Sequence, residues 1–524
     1  MKARPIHFWP FLTVVAAVIA LAAACTAGPS AATTATAVVS GAAAPSGTWP
    51  YPNGDLANTR VAPGSVISAA NVSSLREAWS FPLTGAAAAG VSGTGSLVAA
   101  PVVSAGTVYI QDLDCDVYAI SLATGKPRWE YPVNIPEVSG PGPNGVAVSR
   151  GVVYATSPHE VVALSAKTGK VLWSDQGLLN SGQGTFAIQP QVTGGRVYLA
   201  SAYGNGPGGG VLLALNASTG RLLWRFNTVV SQPAGVTASG AGAGGAWEPP
   251  LEGPDGSVTY GIGNPYQSIG AAISEPSRAL YTDSLVNLNA ATGKLRWYRQ
   301  AVPDDFQDHD MQSSPVSARV DGRPAVIGSG KLGYVYAVNA GTGSVLWKTP
   351  VGVHNGTDDD SALALAHKFT PTFPYTYEPG EIGGVLSNVA VAGDTVYVAT
   401  NDVPFKLSSL NSVLGAAATD VLAGEVEALN LNTGKVEWDA KVSSLPLGAV
   451  TVSRDLVFTT LYSGRLLAFN RRTGAVVYSR ALPASTNAPI AAFGNTVLVP
   501  AGAPPVSATP GSGGTPQVVA YTVP

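Results

Sequence analysis

A short repeated unit constrains the fold of this chain more than any other feature. Each copy is an alternating strand, a Thr-Gly turn and a second strand that closes on an aromatic residue. The glycine can take the positive φ that a tight turn requires. Seven copies occur: VYAISLATGKPRW (117–129), VVALSAKTGKVLW (161–173), LLALNASTGRLLW (212–224), LVNLNAATGKLRW (285–297), VYAVNAGTGSVLW (335–347), VEALNLNTGKVEW (426–438) and LLAFNRRTGAVVY (466–478).

Such units cannot bury both faces alone, so they must stack around an axis. Trp79 is an eighth aromatic end without its own Thr-Gly turn, and the strand at 517–523 has no turn after it. Together they can complete one blade from both ends of the repeat region. The sequence therefore predicts an all-β fold, an eight-bladed β-propeller over residues 47–524. Long insertions at 351–384 and 402–424 predict the functional face.

The composition agrees with many short strands. Charged residues make up 12% of the 524 residues, and the chain has 61 glycines and 40 prolines. The net charge of −3 indicates no basic face, which argues against a nucleic-acid partner.

Residues 1–25 are typical of a lipoprotein export signal. Lys2 and Arg4 precede an apolar run that ends in a lipobox-like Leu-Ala-Ala-Ala-Cys, with Cys25 as the expected lipid-bearing residue. The alternative is plain cleavage after the alanines. Residues 26–46 are small and uncharged, as in a flexible linker. We expect an exported protein, attached to the outer face of the cell membrane through lipid on Cys25. No Cys-x-x-Cys-His occurs, so no covalent haem is expected.

The densest acidic cluster lies between two copies of the repeat. It contains Asp304, Asp305, Asp308 and Asp310. Taken alone, such a run favours a solvated acidic loop. The sequence offers no Gly-x-Ser-x-Gly or phosphate-binding loop as another centre.

The repeat Ala-x-Asn/Asp-x-x-Thr-Gly-x-x-x-Trp resembles that of the pyrroloquinoline quinone (PQQ) propellers. This family includes the quinoprotein alcohol dehydrogenases and non-catalytic relatives in envelope assembly. The segments GIGNPY (261–266), LYTDSLVNLNAATGKLRWYRQAVPDDFQDHD (280–310) and GSGKLGYVYAVNAGTG (328–343) are similar to the dehydrogenase branch.

The resemblance implies site residues and cofactors. Trp247 falls where the family stacks an indole on the quinone, and Lys331 matches the cation that hydrogen-bonds the quinone oxygens. Asn264 and Asp308 match metal ligands, and Asp308 also matches the catalytic base. Asp310 adds a carboxylate that the family associates with a lanthanide in place of calcium. A planar anionic quinone needs such a platform, a cation and a hard metal held by oxygen. We expect Asn264, Asp308 and Asp310 to converge, with Lys331 opposite and Trp247 below.

Other positions depart from the dehydrogenase pattern. Ala99 and Ala100 replace an adjacent Cys pair, Ala105 an arginine, Asn205 a metal-binding glutamate and Gln307 a tryptophan. Two functions therefore stay open. One is a PQQ-dependent alcohol dehydrogenase that oxidises a small alcohol and passes electrons to a separate acceptor. The other is a non-catalytic, membrane-anchored scaffold that binds an envelope protein or a ligand.

Overall fold

Short antiparallel strands make up nearly all regular structure in the computed structural model of the protein. The structure describes residues 47–84, 95–133, 145–202, 209–230, 243–276, 278–412, 422–502 and 514–524. The expected export signal, its Cys25, the linker and Asn205 lie outside these ranges. Within them, no helix is long and apolar enough to cross a membrane.

The strands form eight four-stranded blades around a ring, which confirms the predicted fold class. Blade 1 contains Val102–Ser104, Thr107–Gln111, Val117–Ser121 and Pro127–Tyr131, and blade 2 contains Ala147–Ser149, Val152–Thr156, Val161–Ser165 and Val171–Asp175. Blade 3 contains Gln191–Thr193, Arg196–Ala202, Val211–Asn216 and Leu222–Asn227, and the short strand Thr185–Phe186 also pairs with it. Blade 4 contains Leu251–Glu252, Ser257–Ile262, Ser284–Asn289 and Leu295–Gln300.

Blades 5 to 8 continue the same order. Blade 5 contains Val316–Val320, Arg323–Gly330, Tyr334–Asn339 and Val345–Pro350, and blade 6 contains Ala390–Ala392, Thr395–Asn401, Gly424–Asn430 and Val436–Val442. Blade 7 contains Thr451–Ser453, Leu456–Leu461, Arg465–Asn470 and Val476–Ala481. Blade 8 contains Ala491–Phe493, Thr496–Ala501, Gln517–Thr522 and Arg76–Pro82. A 3-10 helix at Val72–Ser74 lies directly before the strand Arg76–Pro82 in the chain.

Blade 8 combines the two ends of the repeat region. Arg76–Pro82 pairs antiparallel with Gln517–Thr522, and Trp79 lies opposite Ala520. The prediction that Trp79 and the strand near 517–523 share a blade is confirmed.

The repeated tryptophan joins seven of the eight blades to the next. The indole Nε1 of Trp297 in blade 4 donates to the carbonyl of Ala340 in blade 5 at 2.9 Å. Its ring packs against Gly343, which has φ +67° and where a Cβ would lie 2.5 Å from the ring. Six more tryptophans, each on the last strand of its blade, pack on the glycine of the following Thr-Gly turn: Trp79 with Gly125, Trp129 with Gly169, Trp173 with Gly220, Trp224 with Gly293, Trp347 with Gly434 and Trp438 with Gly474.

Residues 53–60, which precede the strand Arg76–Pro82 in the chain, cross the middle of the ring. Asn53 donates to Ser314 at 2.9 Å, and Asn58 donates to the carbonyl of Pro315 at 3.0 Å. Arg60 is fully buried and donates to carbonyls of Val450 and Ile490. One stretch of chain thus contacts blades that are far apart in the sequence. These contacts lie near the first strand of each blade, where neighbouring blades contact one another.

The insertions form a layer beside the acidic cluster. Ile269–Ser274 and Asp360–Leu365 are helices, and Tyr375–Tyr377 pairs with Phe405–Leu407. Their apolar side chains pack around Phe306, which lies inside the acidic run. The insertions therefore exclude water from that run.

Candidate functional site

Three pieces of chain meet where blades 4 and 5 adjoin. Asn264 follows the second strand of blade 4, and Lys331 follows the second strand of blade 5. The connection between the blades runs past both, since Met311 N donates to the carbonyl of Ile262 and Lys331 N to that of Asp310. The resemblance predicted that residues distant in sequence would converge here, and the fold brings them together.

The amide and the carboxylates of this site are in direct contact. Asn264 Nδ2 donates to Asp308 Oδ1 and, at 2.9 Å, to Asp310 Oδ1. The backbone N of Asn264 also donates to Asp310 Oδ1, at 2.7 Å. Asn264 Oδ1 accepts from the backbone N of Tyr266 at 2.5 Å. Two carboxylates therefore direct their oxygens at one amide nitrogen within a small volume.

Lys331 lies against both carboxylates, whereas we expected it across the site from them. Its Nζ is 2.6 Å from Asp308 Oδ2 and 2.8 Å from Asp310 Oδ2. Two carboxylates this close repel each other in a poorly solvated site unless a cation lies between them. The ammonium of Lys331 supplies that positive charge.

The whole acidic run is buried, so the interpretation as a solvated acidic loop is wrong. Exposed fractions are 0% for Asp304, 1% for Asp305, 3% for Asp308 and 2% for Asp310. Asp305 shapes the turn by accepting from the backbone N of Gln307 at 2.8 Å and of His309 at 2.7 Å. Asp308 itself has φ +63°. The turn is thus built to direct acidic side chains inward.

Burial controls the protonation of these groups. It raises the pKa of Asp308 well above its usual value, against the opposing effect of Lys331. It also raises the pKa of Asp305 to about 7. Burial opposes the charge on Lys331, but Asp308 and Asp310 outweigh it and raise the pKa of the ammonium. The site therefore holds one firmly charged cation beside a carboxyl that favours the neutral form.

Trp247 lies next to the same group. Its exposed fraction is 8%, and it packs with Ala187 and Ala202. A Cβ at Gly263 would collide with the indole and would lie 2.7 Å from Asp310 Oδ1. Glycine at 263 therefore allows the indole and the carboxylate to approach each other.

The residues present fit a hard cation better than they fit the whole quinone pocket. Carboxylate and amide oxygens are the ligands that calcium prefers. Asn264 would have to present Oδ1 instead of Nδ2, which rotation of the amide achieves. On the quinone side, Ala99 and Ala100 are buried but offer no polar side chain, and Ala105 lies in an exposed hairpin turn of blade 1.

Sequence reasoning missed one acidic residue beside this site. Asp283 is fully buried, and its backbone N donates to the carbonyl of Gly263 at 2.9 Å. Burial raises its pKa well above the usual value, and the charges of Asp305 and Asp310 add to the effect. Its place within the LYTDS segment, at the start of a blade strand, was the available signal.

Comparison with known proteins gives two family matches. Residues 49–352, more than half of the chain, match the family of the glucose/ethanol/alcohol dehydrogenase β-propeller domain. Residues 333–514 match the outer membrane protein assembly factor BamB family. The chain is 28% identical over 491 residues to quinohemoprotein alcohol dehydrogenase ADH IIB of Pseudomonas putida, covering 82% of this chain and 69% of that protein. It is 26% identical over 482 residues to quinoprotein alcohol dehydrogenase PedH of Pseudomonas putida, covering 80% and 79%.

Solved structures share the fold. Quinohemoprotein alcohol dehydrogenase from Comamonas testosteroni superimposes with a TM-score of 0.73 at 22% identity, covering 91% of this chain and 80% of that one. A europium-containing methanol dehydrogenase gives 0.74 at 20% identity, covering 91% and 98%. BamB from Moraxella catarrhalis gives 0.51 at 14% identity, covering 86% and 97%. From its repeats, its ring of eight blades and these matches, the chain belongs to the PQQ β-propeller family of the glucose, ethanol and alcohol dehydrogenases.

Proposed function

We propose that this protein binds PQQ and a hard metal ion and oxidises an alcohol, with electrons passing to a separate acceptor. The observation that carries the proposal is the contact of Asn264, Asp308, Asp310 and Lys331 at the junction of blades 4 and 5. The same positions match the dehydrogenase branch, and the relatives named above are alcohol dehydrogenases.

Each side chain has a distinct task in this proposal. Asn264, Asp308 and Asp310 would hold the metal ion. Trp247 would provide the apolar surface against which a flat ring system packs. Asp308 accepts the proton of the alcohol hydroxyl at one of its carboxylate oxygens. Lys331 favours the charged, proton-accepting form of that carboxylate and so opposes the effect of burial. The quinone, when bound, supplies the acceptor for the two electrons that leave the alcohol.

Burial makes the activity depend on pH. Asp308 works as a base only when it is ionised, and burial raises its pKa. Activity should therefore be absent at acid pH and appear as the pH rises through the pKa of the loaded site. A bound metal ion and Lys331 both lower that pKa, because positive charge favours the ionised carboxylate.

Reconstitution tests the proposal. The purified protein is loaded with PQQ and either Ca²⁺ or La³⁺, its absorption spectrum is recorded, and dye-linked alcohol oxidation is measured. We expect a bound-quinone spectrum and turnover. Asp310→Ala should lose activity with La³⁺ more strongly than with Ca²⁺, because a trivalent ion depends more on each additional carboxylate. The matched control is Asp321→Ala, which removes an aspartate from a hairpin of blade 5.

Failure to bind PQQ under all metal conditions would contradict the proposal. The scaffold alternative would then stand, with a degenerate site and an envelope protein or a ligand as the partner. The features that favour this alternative are the apolar Ala99 and Ala100 and the match of residues 333–514 to the assembly-factor family.

We also propose that the protein is exported and held at the outer face of the membrane by lipid on Cys25. The apolar run that ends in Leu-Ala-Ala-Ala-Cys supports this proposal. Cys25→Ser should move the protein from the membrane fraction to the soluble fraction, measured by fractionation and immunoblotting. Cys115→Ser is the matched control, since that buried thiol belongs to the propeller. Equal membrane retention of Cys25→Ser and the wild type would exclude the lipid anchor.

A further inference from the structure

A second group of acidic side chains lies in blade 6. One carboxylate oxygen from each of Glu425, Glu427 and Asp439 falls within 4.8 Å of the others. Glu427 and Asp439 are directly opposite each other on neighbouring strands. Glu425 lies two residues before Glu427, so it projects from the same face of the sheet. The three side chains therefore point into one volume, and none belongs to the site between blades 4 and 5.

The charge of this group is poorly balanced. Glu425 and Glu427 are 2% and 3% exposed. Lys441 pairs with Glu425 and lies 3.3 Å from Asp439, but its side chain is 65% exposed. One solvent-facing ammonium thus serves three carboxylates.

An unpaired hydroxyl points to a ligand in the same volume. Thr400 is fully buried, and within the described part of the chain its Oγ1 has no hydrogen-bond partner. Thr400 lies directly opposite Glu425 on the neighbouring strand, so both side chains share one face. A buried hydroxyl without a partner costs free energy, and such groups call for an ion or water that satisfies them.

The end of blade 5 closes this volume from the other side. The backbone N of Gly352 donates to Glu427 Oε1 at 2.7 Å. The Cβ position of Gly352 lies 3.2 Å from both Thr400 Oγ1 and Asp402 Oδ1. Gly352 has φ +74°, so glycine permits both the conformation and the close approach. Asp402 is 8% exposed and adds another carboxylate at the edge of the group.

We propose that Glu425, Glu427 and Asp439, with Thr400 and Asp402, form a divalent-cation site between blades 5 and 6, suited to Ca²⁺. All of these ligand atoms are oxygens, which favours calcium over zinc or copper. The three carboxylate oxygens all lie within 4.8 Å of one another, so one calcium ion, whose opposite ligand oxygens are about 4.6–5.2 Å apart, can reach them all. This site is independent of PQQ, and its role is to fasten the loop after blade 5 to blade 6.

Calcium titration of metal-free protein tests the site. Asp308→Asn/Asp310→Asn is used as the background, so that binding between blades 4 and 5 does not contribute. Isothermal titration calorimetry should detect one calcium ion, and the melting temperature should rise with calcium concentration. In this background, Glu427→Gln should weaken binding at least about tenfold, because even groups outside the first coordination shell cost that much.

Two further variants separate binding from general stability. Glu437→Gln is the matched control, since Glu437 is an exposed carboxylate on the strand of Asp439 and accepts a hydrogen bond from Asn430. It should bind calcium like the background protein. Lys441→Gln should bind calcium more tightly, because the ammonium competes with the metal ion for Glu425 and Asp439.

The results that overturn the proposal are equally specific. They are an absence of calcium binding in the background protein, or equal calcium affinity of Glu427→Gln and Glu437→Gln. If Glu427→Gln does not fold, Asp439→Asn replaces it, since that ligand is partly exposed. Unchanged calcium affinity in Asp439→Asn would then contradict the proposed calcium site.

Discussion

Replacing Asp308 by asparagine is expected to lower the rate of alcohol oxidation by the PQQ-loaded protein by about 10²–10⁴-fold. Asparagine keeps the shape of the side chain and one oxygen for the metal ion, but it cannot accept the proton of the alcohol. The measurement is kcat in the dye-linked assay, with the absorption spectrum as evidence that quinone is still bound.

The matched control for this variant is Asp255→Asn. Asp255 is a partly exposed aspartate of blade 4 that pairs with Arg296 at 2.7 Å and is not in contact with the site. Its replacement should leave kcat unchanged. Wild-type turnover by Asp308→Asn, with normal quinone binding, would show that the base is another group and would remove Asp308 from the proposed reaction.

Lys331→Met is expected to lower the free energy of unfolding of the metal-free protein by about 3–5 kcal/mol, because it leaves buried carboxylates without a cation. Methionine has a similar length, so most of the packing is retained. Chemical denaturation in the presence of a chelator measures the loss. Lys294→Met, at an exposed turn of blade 4, is the matched control and should be near neutral.

The pH dependence of this loss identifies its origin. Burial raises the pKa of Asp308, and Lys331 opposes that rise, so the variant should have a still higher folded-state pKa. A carboxyl with a higher pKa in the folded than in the unfolded protein favours folding less as the pH rises between the two values. The loss should therefore be small near pH 4, where the unfolded carboxyl titrates, and should grow toward neutral pH. A loss that is the same at every pH would indicate packing instead of charge.

The repeat allowed the fold to be predicted because each copy carries its own turn and its own contact to the next blade. Gly343 requires a positive φ, and Trp297 must cover it, so both signals are local and legible in sequence. The segment that carries Arg60 through the ring was not predicted. Its contacts are to blades hundreds of residues away, and no periodicity marks them.

The residues of the candidate site could be predicted only at positions that the resemblance to the PQQ propellers assigned. Asn264, Asp308 and Lys331 are far apart in the chain, and their contact follows from the order of the blades. Burial of the acidic run could not be predicted, because the aromatic layer that covers it comes from distant insertions. Glu425 and Glu427 lie at alternating strand positions that look solvated in sequence, yet the neighbouring blade covers them.

The pairing of Arg76–Pro82 with Gln517–Thr522 has a consequence for the order in which the molecule assembles. Trp79 already rests on Gly125 of blade 1, so the first strand can dock early, with its backbone edge unpaired. Its partner is the last strand of the propeller, and contacts between such distant segments form slowly. Until then, the waiting edge is a template for any other extended strand. We therefore expect exchange of the final strand between two copies to be the characteristic misassembly of this ring, and it would join them at blade 8.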